Sequence, residues 1–251
     1  MIYIEMLNNI TLGRYYQRES IVHSLNPIFK IISLIIMIIS IFFIDNYIDI
    51  LMLGSYLLLS IVYSNINIKT YLKNILGIKI FLIFIFVIDI IFFNGINKII
   101  CDLFRIIFII LYSSILTYTT VITELTYGID KILKPFNKII PVSDISMIIS
   151  LSIRYIPSLT EEAKRIIKAQ KIRGVSFDSK NIKEKIVSIS GVLMPMFVMS
   201  IKKSEKMADI MDLRLYNYGK SKTNYRSNKW KILDTLLLIL NVVILMIVVF
   251  Y

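Results

Sequence analysis

IFKIISLIIMIISIFFI, residues 28–44, carries a single charge, Lys30, in a run that is otherwise apolar or serine. As a helix it rises about 25 Å, close to the hydrocarbon thickness of a bilayer. It has none of the alternation of a half-exposed strand. In lipid every backbone amide and carbonyl must bond inside its own segment, so helix is the only economical conformation for it. Three similar blocks follow, at about Ile48–Tyr63, Ile75–Phe93 and Ile106–Ile122, and a fifth runs from about Thr235 to the C-terminus. The expected fold is all-α, a polytopic membrane protein with about five transmembrane helices.

Composition narrows the function classes. The 251 residues are 57% hydrophobic, with 29 Lys and Arg against 17 Asp and Glu, a formal net charge of +12. In a bilayer protein such an excess speaks first about orientation and about anionic lipid or acidic partners, and nucleic acid is a poor second. The lone Cys101 cannot form an internal disulfide, and the lone His23 cannot build a histidine-rich metal cluster, so no metal or other cofactor is expected. The first twenty residues mix Glu5, Arg14, Arg18 and Glu19 with polar residues, so no cleavable leader is expected.

The loops orient the chain. Arg14, Arg18 and Lys30 precede or open the first span, and Lys69 and Lys73 follow the second. The turn DNYID between these spans has no basic residue. Residues 124–231 hold 21 basic and 10 acidic side chains. The positive-inside bias therefore places the N-terminus and residues 124–231 in the cytoplasm. Three regions result: 1–123, an N-terminal amphipathic segment and four spans; 124–231, paired amphipathic helices on the cytosolic face; and 232–251, the last span.

Within 124–231, KAQKIRG (168–174) and ADIMDLRLY (208–216) each end an amphipathic pattern in an arginine. Aligning Arg173 with Arg214 sets Ile172 on Leu213, Ile166 on Met207 and Arg165 on Lys206, and a proline, Pro157 or Pro195, stands before each pattern. Those prolines should kink or begin a helix. One arginine at a helix C-terminus is explained by the macrodipole. Two in register in a repeated unit point to recognition, since the planar guanidinium suits carboxylates and backbone carbonyls of a partner better than an ammonium does.

Other motifs carry less. YGKS (218–221) has the end of a phosphate loop, but Arg214 stands where its first glycine belongs. Asp89 lies near the outer end of the third span and reads as an interfacial carboxylate. Asp102 and Arg105 pair on one helix face, and His23 reads as a polar residue at the interface. No nucleophile–base pair or carboxylate cluster can be assembled. A membrane anchor or scaffold, or a lipid-modifying enzyme embedded in the membrane, remains the alternative.

Taken together, GRYYQRESIVHSLNPIFKII (13–32), SLSIRYIPSLTEEAKRIIKAQKIRG (150–174), KKSEKMADIMDLRLYNYG (202–219) and SKTNYRSNKWKILD (221–234) resemble the transmembrane T component of energy-coupling-factor transporters, relatives of ABC importers, nearly end to end. The family's Ala-Arg-Gly motif reads Ile172-Arg173-Gly174 here, and the second copy reads Leu213-Arg214-Leu215, with both arginines kept and both small residues of the second lost. The resemblance implies a non-catalytic subunit joining two cytosolic ATPases to a membrane-embedded S component that captures a vitamin or micronutrient. It implies an ATPase-coupling set of Arg173, Arg214, Ala169, Gln170, Gly174 and Ala208. The C-terminal linker is more similar to T components shared among several S components than to dedicated cobalt or nickel systems.

Overall fold

The computed structural model describes residues 15–92, 95–138, 141–175, 177, 181–216 and 230–250. Regular structure among the described residues is helical throughout, nine α-helices and one 3-10 turn. The chain divides into two compact units, Gly13–Leu133 with Asn224–Tyr251, and Met1–Leu12 with Lys134–Thr223.

The first unit holds α1 (Pro27–Phe42), α2 (Tyr47–Tyr63), α3 (Ile68–Gly77), α4 (Lys79–Ile91), α5 (Ile96–Thr119), α6 (Ile122–Leu133) and α9 (Ile232–Phe250). Asn26 caps α1 by accepting the Ile28 amide at 3.0 Å, and Pro27 takes the first position, where its missing N–H costs nothing. Asp49 accepts the Asn46 amide at 3.1 Å and starts α2. Helix α1 packs against α5, α6 and α9, and α2 against α5. Their shared core is Met37, Ile41, Leu53, Phe108, Tyr112 and Ile244. At Gly128 α6 lies so close to α1 that an added Cβ would meet Ile31 Cδ1 at 2.7 Å.

Polar contacts set the registers. Asp234 accepts the amides of Asn26 (3.1 Å) and Lys231 (2.8 Å), fixing the start of α9 to the entry of α1. About two turns deeper, Asn241 Nδ2 donates to Ser33 Oγ at 2.6 Å. Large apolar side chains such as Leu51, Leu58, Ile80, Ile83 and Phe92 point outward, as they must where lipid replaces water. Three helices are long and apolar enough to cross a membrane, Ile96–Thr119, Lys183–Leu213 and Ile232–Phe250, and α3 with α4 makes a fourth if the bent pair is one span. Pro27–Phe42 and Tyr47–Tyr63 are shorter apolar helices. The molecule is an all-α membrane protein.

Two spans differ from the sequence reading. The third is broken at Ile78, where α3 and α4 meet at 55°. The next helix starts ten residues before the expected Ile106 and takes in Asp102 and Arg105, whose charges neutralise one another. Arg105 donates to Asp102 and to the carbonyls of Ile41 (3.2 Å) and Ile44 (2.8 Å), at and just beyond the end of α1, where the regular helical ladder stops.

In the second unit a 3-10 turn, Lys134–Lys138, leads to α7 (Val142–Ile172) and α8 (Ile182–Leu213). Pro157 and Pro195 both lie inside these helices, so neither proline begins one. The apolar content of α8 also exceeds what an inner-face helix was expected to carry, since it alone in this unit is long and apolar enough to span. A small core of Ile167, Phe177 and Val192 joins the pair.

Candidate functional site

Three side-chain contacts fix how α7 and α8 run. Gln170 Nε2 donates to the Gly191 carbonyl at 3.1 Å. Lys203 pairs with Glu162 and donates to Ser158 Oγ at 2.7 Å, its ammonium 6.0 Å from the Tyr155 ring centroid. Tyr216 donates its hydroxyl proton to Asp144 Oδ1 at 3.0 Å. As the α7 partner moves from 170 to 162 to 144, the α8 partner moves from 191 to 203 to 216, so the helices are antiparallel. The end of each helix lies beside the start of the other, and Arg173 and Arg214 stand at opposite ends of the pair, about 40 Å apart along it.

Both helices end in the same way. Arg173 and Arg214 are the C-cap residues, with φ −78°, ψ 5° and φ −88°, ψ 10°. The next residue turns left-handed in each case, Gly174 at φ +85° and Leu215 at φ +56°. The Gly174 amide donates to the Lys171 carbonyl (3.0 Å) and the Val175 amide to the Gln170 carbonyl (3.1 Å). The Leu215 amide donates to Asp212 (2.9 Å) and the Tyr216 amide to Met211 (2.9 Å). These are two Schellman closures, each using up two carbonyls that a helix end would otherwise leave open.

The closures present their arginines to the surroundings. Arg173, Gly174 and Arg214 are exposed, as are Ala169, one turn back from Arg173, and Ala208, nearly two turns back from Arg214. Each arginine is flanked by a bare apolar side chain, Ile172 at 80% exposure, Leu213 at 84% and Leu215 at 89%. A guanidinium on an apolar rim, with a small residue behind it, offers a partner a planar five-donor fork and a shallow apolar seat. Gln170 differs from the other candidates: it is half-buried and its amide is committed to the Gly191 carbonyl, inside the pair.

The residues that hold the pair together, Lys203, Glu162, Asp144 and Tyr216, were not among the sequence candidates. Nothing in the local pattern marks them, because each meets its partner through an antiparallel register fixed only when the helices pack. The motif YGKS at 218–221 lies outside the described residues.

Residues 18–225 match the family model described as cobalt transport protein. A relative from Streptococcus equi subsp. equi, named energy-coupling factor transporter transmembrane protein EcfT, is 36% identical over 95% of this chain and 95% of its own. Relatives of the same name from Ruminiclostridium cellulolyticum, 34% identical over 92% of both chains, and from Lactococcus lactis subsp. cremoris, 32% identical over 93% of this chain and 94% of its own, are similar throughout. With an all-helical fold, a helix pair closed by matched arginine caps and relatives aligned over nearly its whole length, the chain belongs to the family of energy-coupling factor transporter transmembrane proteins.

Proposed function

We propose that this chain is the energy-coupling subunit of an ATP-driven importer, joining two cytosolic ATPases to a membrane-embedded S component that captures a vitamin or micronutrient. It is a multi-pass protein with the N-terminus and the α7–α8 pair on the cytoplasmic side, and ATP hydrolysis belongs to the partners. The observation that carries this reading is the pair of identical arginine closures at opposite ends of two antiparallel helices. A single docking partner needs one such end; two equivalent partners need two, set apart by roughly the length of a helix.

In this reading each arginine enters one ATPase, with Ile172 or Leu213 and Leu215 seated beside it. Ala169 leaves room for the partner one turn behind the first tip and Ala208 nearly two turns behind the second, and Gln170 keeps the site in shape from within the pair. Leu213 and Leu215 make the second seat the more apolar one, which fits a pair of similar but unlike ATPases.

The test is recovery of the ATPases with affinity-tagged chain, alongside vitamin uptake, for wild type, Arg173→Ala, Arg214→Ala and the double variant at matched membrane levels. Each single variant retains partial assembly and the double variant loses it, since removing one partner of a desolvated charged contact costs about 2–5 kcal/mol. Full recovery and uptake in the double variant would overturn the docking role.

A further inference from the structure

The first unit contains a cleft of about 380 Å³ that the coupling function does not use. Its walls come from the segment before α1 and from α1, α2, α5 and α9. At one level they are Val22, Lys30, Tyr63, Thr119 and Leu233; at the other they are Tyr56, Tyr112 and Leu240. The first level gathers the beginnings of α1 and α9 and the ends of α2 and α5, which is where the helices leave the bilayer on one side. From Tyr63 to Tyr56, Thr119 to Tyr112 and Leu233 to Leu240 the cleft descends about two turns, about 10 Å into the hydrocarbon.

Its lining is graded. The deep part is aliphatic and aromatic, with Tyr56 and Tyr112 stacked at 6.4 Å and the Tyr112 hydroxyl already donated to the Leu53 carbonyl at 3.0 Å. The shallow part holds a cation. Lys30 is only 6% exposed and gives two of its three ammonium protons to the carbonyls of His23 (3.3 Å) and Thr119 (3.0 Å). It makes no ion pair among the described residues. Glu124 and Asp234 are the nearest sources of negative field, but neither contacts it, and both Asp234 oxygens accept backbone amides. A buried ammonium without a contacting carboxylate is costly, and an anion at its third proton relieves that cost.

We infer that this cleft binds one anionic acyl amphiphile, its headgroup on Lys30 at the interface and the first part of one acyl chain between Tyr56, Tyr112 and Leu240. The volume lies in the range of small-ligand sites, and the combination of an apolar shaft and one polar end is the ordinary form of such a site. A zwitterionic lipid brings a compensating cation to the same place and gains less. The contact falls on Lys30, the only charged residue of the 28–44 run.

The experiment is native mass spectrometry of the full chain in detergent, titrated separately with phosphatidylglycerol, phosphatidylcholine and oleate. The expected result is a single adduct that survives activation with phosphatidylglycerol at least about tenfold better than with phosphatidylcholine, one charge-assisted contact's worth. Retention of oleate as well identifies a free carboxylate as sufficient; its absence assigns the site to a diacyl phospholipid. Lys30→Met abolishes the preference between headgroups. Leu237→Phe, which fills the shaft without touching the cation, abolishes the single adduct, and it stands as the decisive variant if Lys30→Met does not fold. Equal retention of both phospholipids by the wild type, an unchanged preference in folded Lys30→Met, or an unchanged adduct in folded Leu237→Phe overturns the inference. So does the absence of any single adduct, the outcome expected if the cleft instead seats an apolar helix of a partner protein.

Discussion

Gly174 and Leu215 occupy the same left-handed position after the same arginine cap, yet only one of them is a glycine. A branched L-residue pays about 1–2 kcal/mol for that conformation, partly offset because glycine loses more freedom on folding. Asn65, the other non-glycine residue with positive φ among the described residues, is of a type that tolerates it; Leu215 is not. Leu215→Gly should therefore stabilise the fold by about 0.5–1 kcal/mol. If Leu215 is kept for its exposed surface, the same variant should recover less ATPase. Thermal unfolding and pull-down on one preparation check both halves, and a variant gaining stability without losing partner would make Leu215 an incidental residue.

Arg173→Lys keeps the charge at the helix end and removes the planar fork. Uptake should fall between wild type and Arg173→Ala, with the unfolding free energies of all three proteins within about 0.5 kcal/mol, because the side chain is exposed. Wild-type uptake in both variants would return the arginine to a purely dipolar role.

Gln170 and Ala169 are neighbours in sequence with opposite roles. Gln170→Ala removes the donor to the Gly191 carbonyl and should destabilise the fold by about 1 kcal/mol, and Gln170→Glu by more, since a carboxylate then faces a carbonyl. Ala169→Trp should leave stability unchanged and block ATPase recovery, because it adds bulk only on the exposed side. Chemical denaturation and pull-down separate the two; loss of stability in Ala169→Trp would mean that the residue is not the partner-facing one.

The sidedness of the α7–α8 pair is open to direct test. In a Cys101→Ser background, a cysteine at Asn181 should react only with reagent applied to the cytoplasmic side, and one at Asn46 only with reagent outside; both positions are exposed. The reverse labelling would put the arginines out of reach of any cytosolic ATPase.

His23 predicts a pH dependence in the first unit. Its Nε2 donates to the Tyr16 carbonyl (2.9 Å), leaving Nδ1 to accept from Ser20 Oγ (2.6 Å), the arrangement of a neutral ring. Burial, and then the nearby Lys30 charge, outweigh the carbonyls of Tyr16 and Tyr118 and the Glu124 carboxylate, so the pKa lies below the ordinary 6.5. A lowered folded pKa means that the unfolded chain binds the proton more readily. Stability is then fully present above about pH 6.5 and is lost as pH falls through the folded value. His23→Gln should flatten the slope of unfolding midpoint between pH 5 and 7.5; an unchanged slope would assign it to another group.

Particular residues show why some of this was legible in sequence and some was not. The spans announce themselves because Ile, Leu and Phe fill whole helices, as in residues 28–44. The break at Ile78 does not, since Gly77, Ile78 and Lys79 sit in a run apolar enough to read straight through. The early start of α5 does not show either, since Asn97, Lys98, Asp102 and Arg105 make its first turns polar, and the carbonyls of Ile41 and Ile44 that hold Arg105 come from another helix end. The two arginines stand out by spacing alone. Their matched closures do not, because Leu215 is the wrong residue type to signal a left-handed turn, and the antiparallel register that sets the arginines apart rests on Gln170, Lys203 and Tyr216 meeting partners far away in the chain.

That register has a mechanical consequence. Forces applied through Arg173 and Arg214 act at opposite ends of crosslinked rods, so two partners pushing across the pair in opposite directions deliver little net push and instead a couple, a turning moment about the middle of the pair. Lys203 and Glu162 lie near that middle, where displacement is least, while each rod of about 45 Å moves its tip by about 2 Å for every 5° of rotation about that middle.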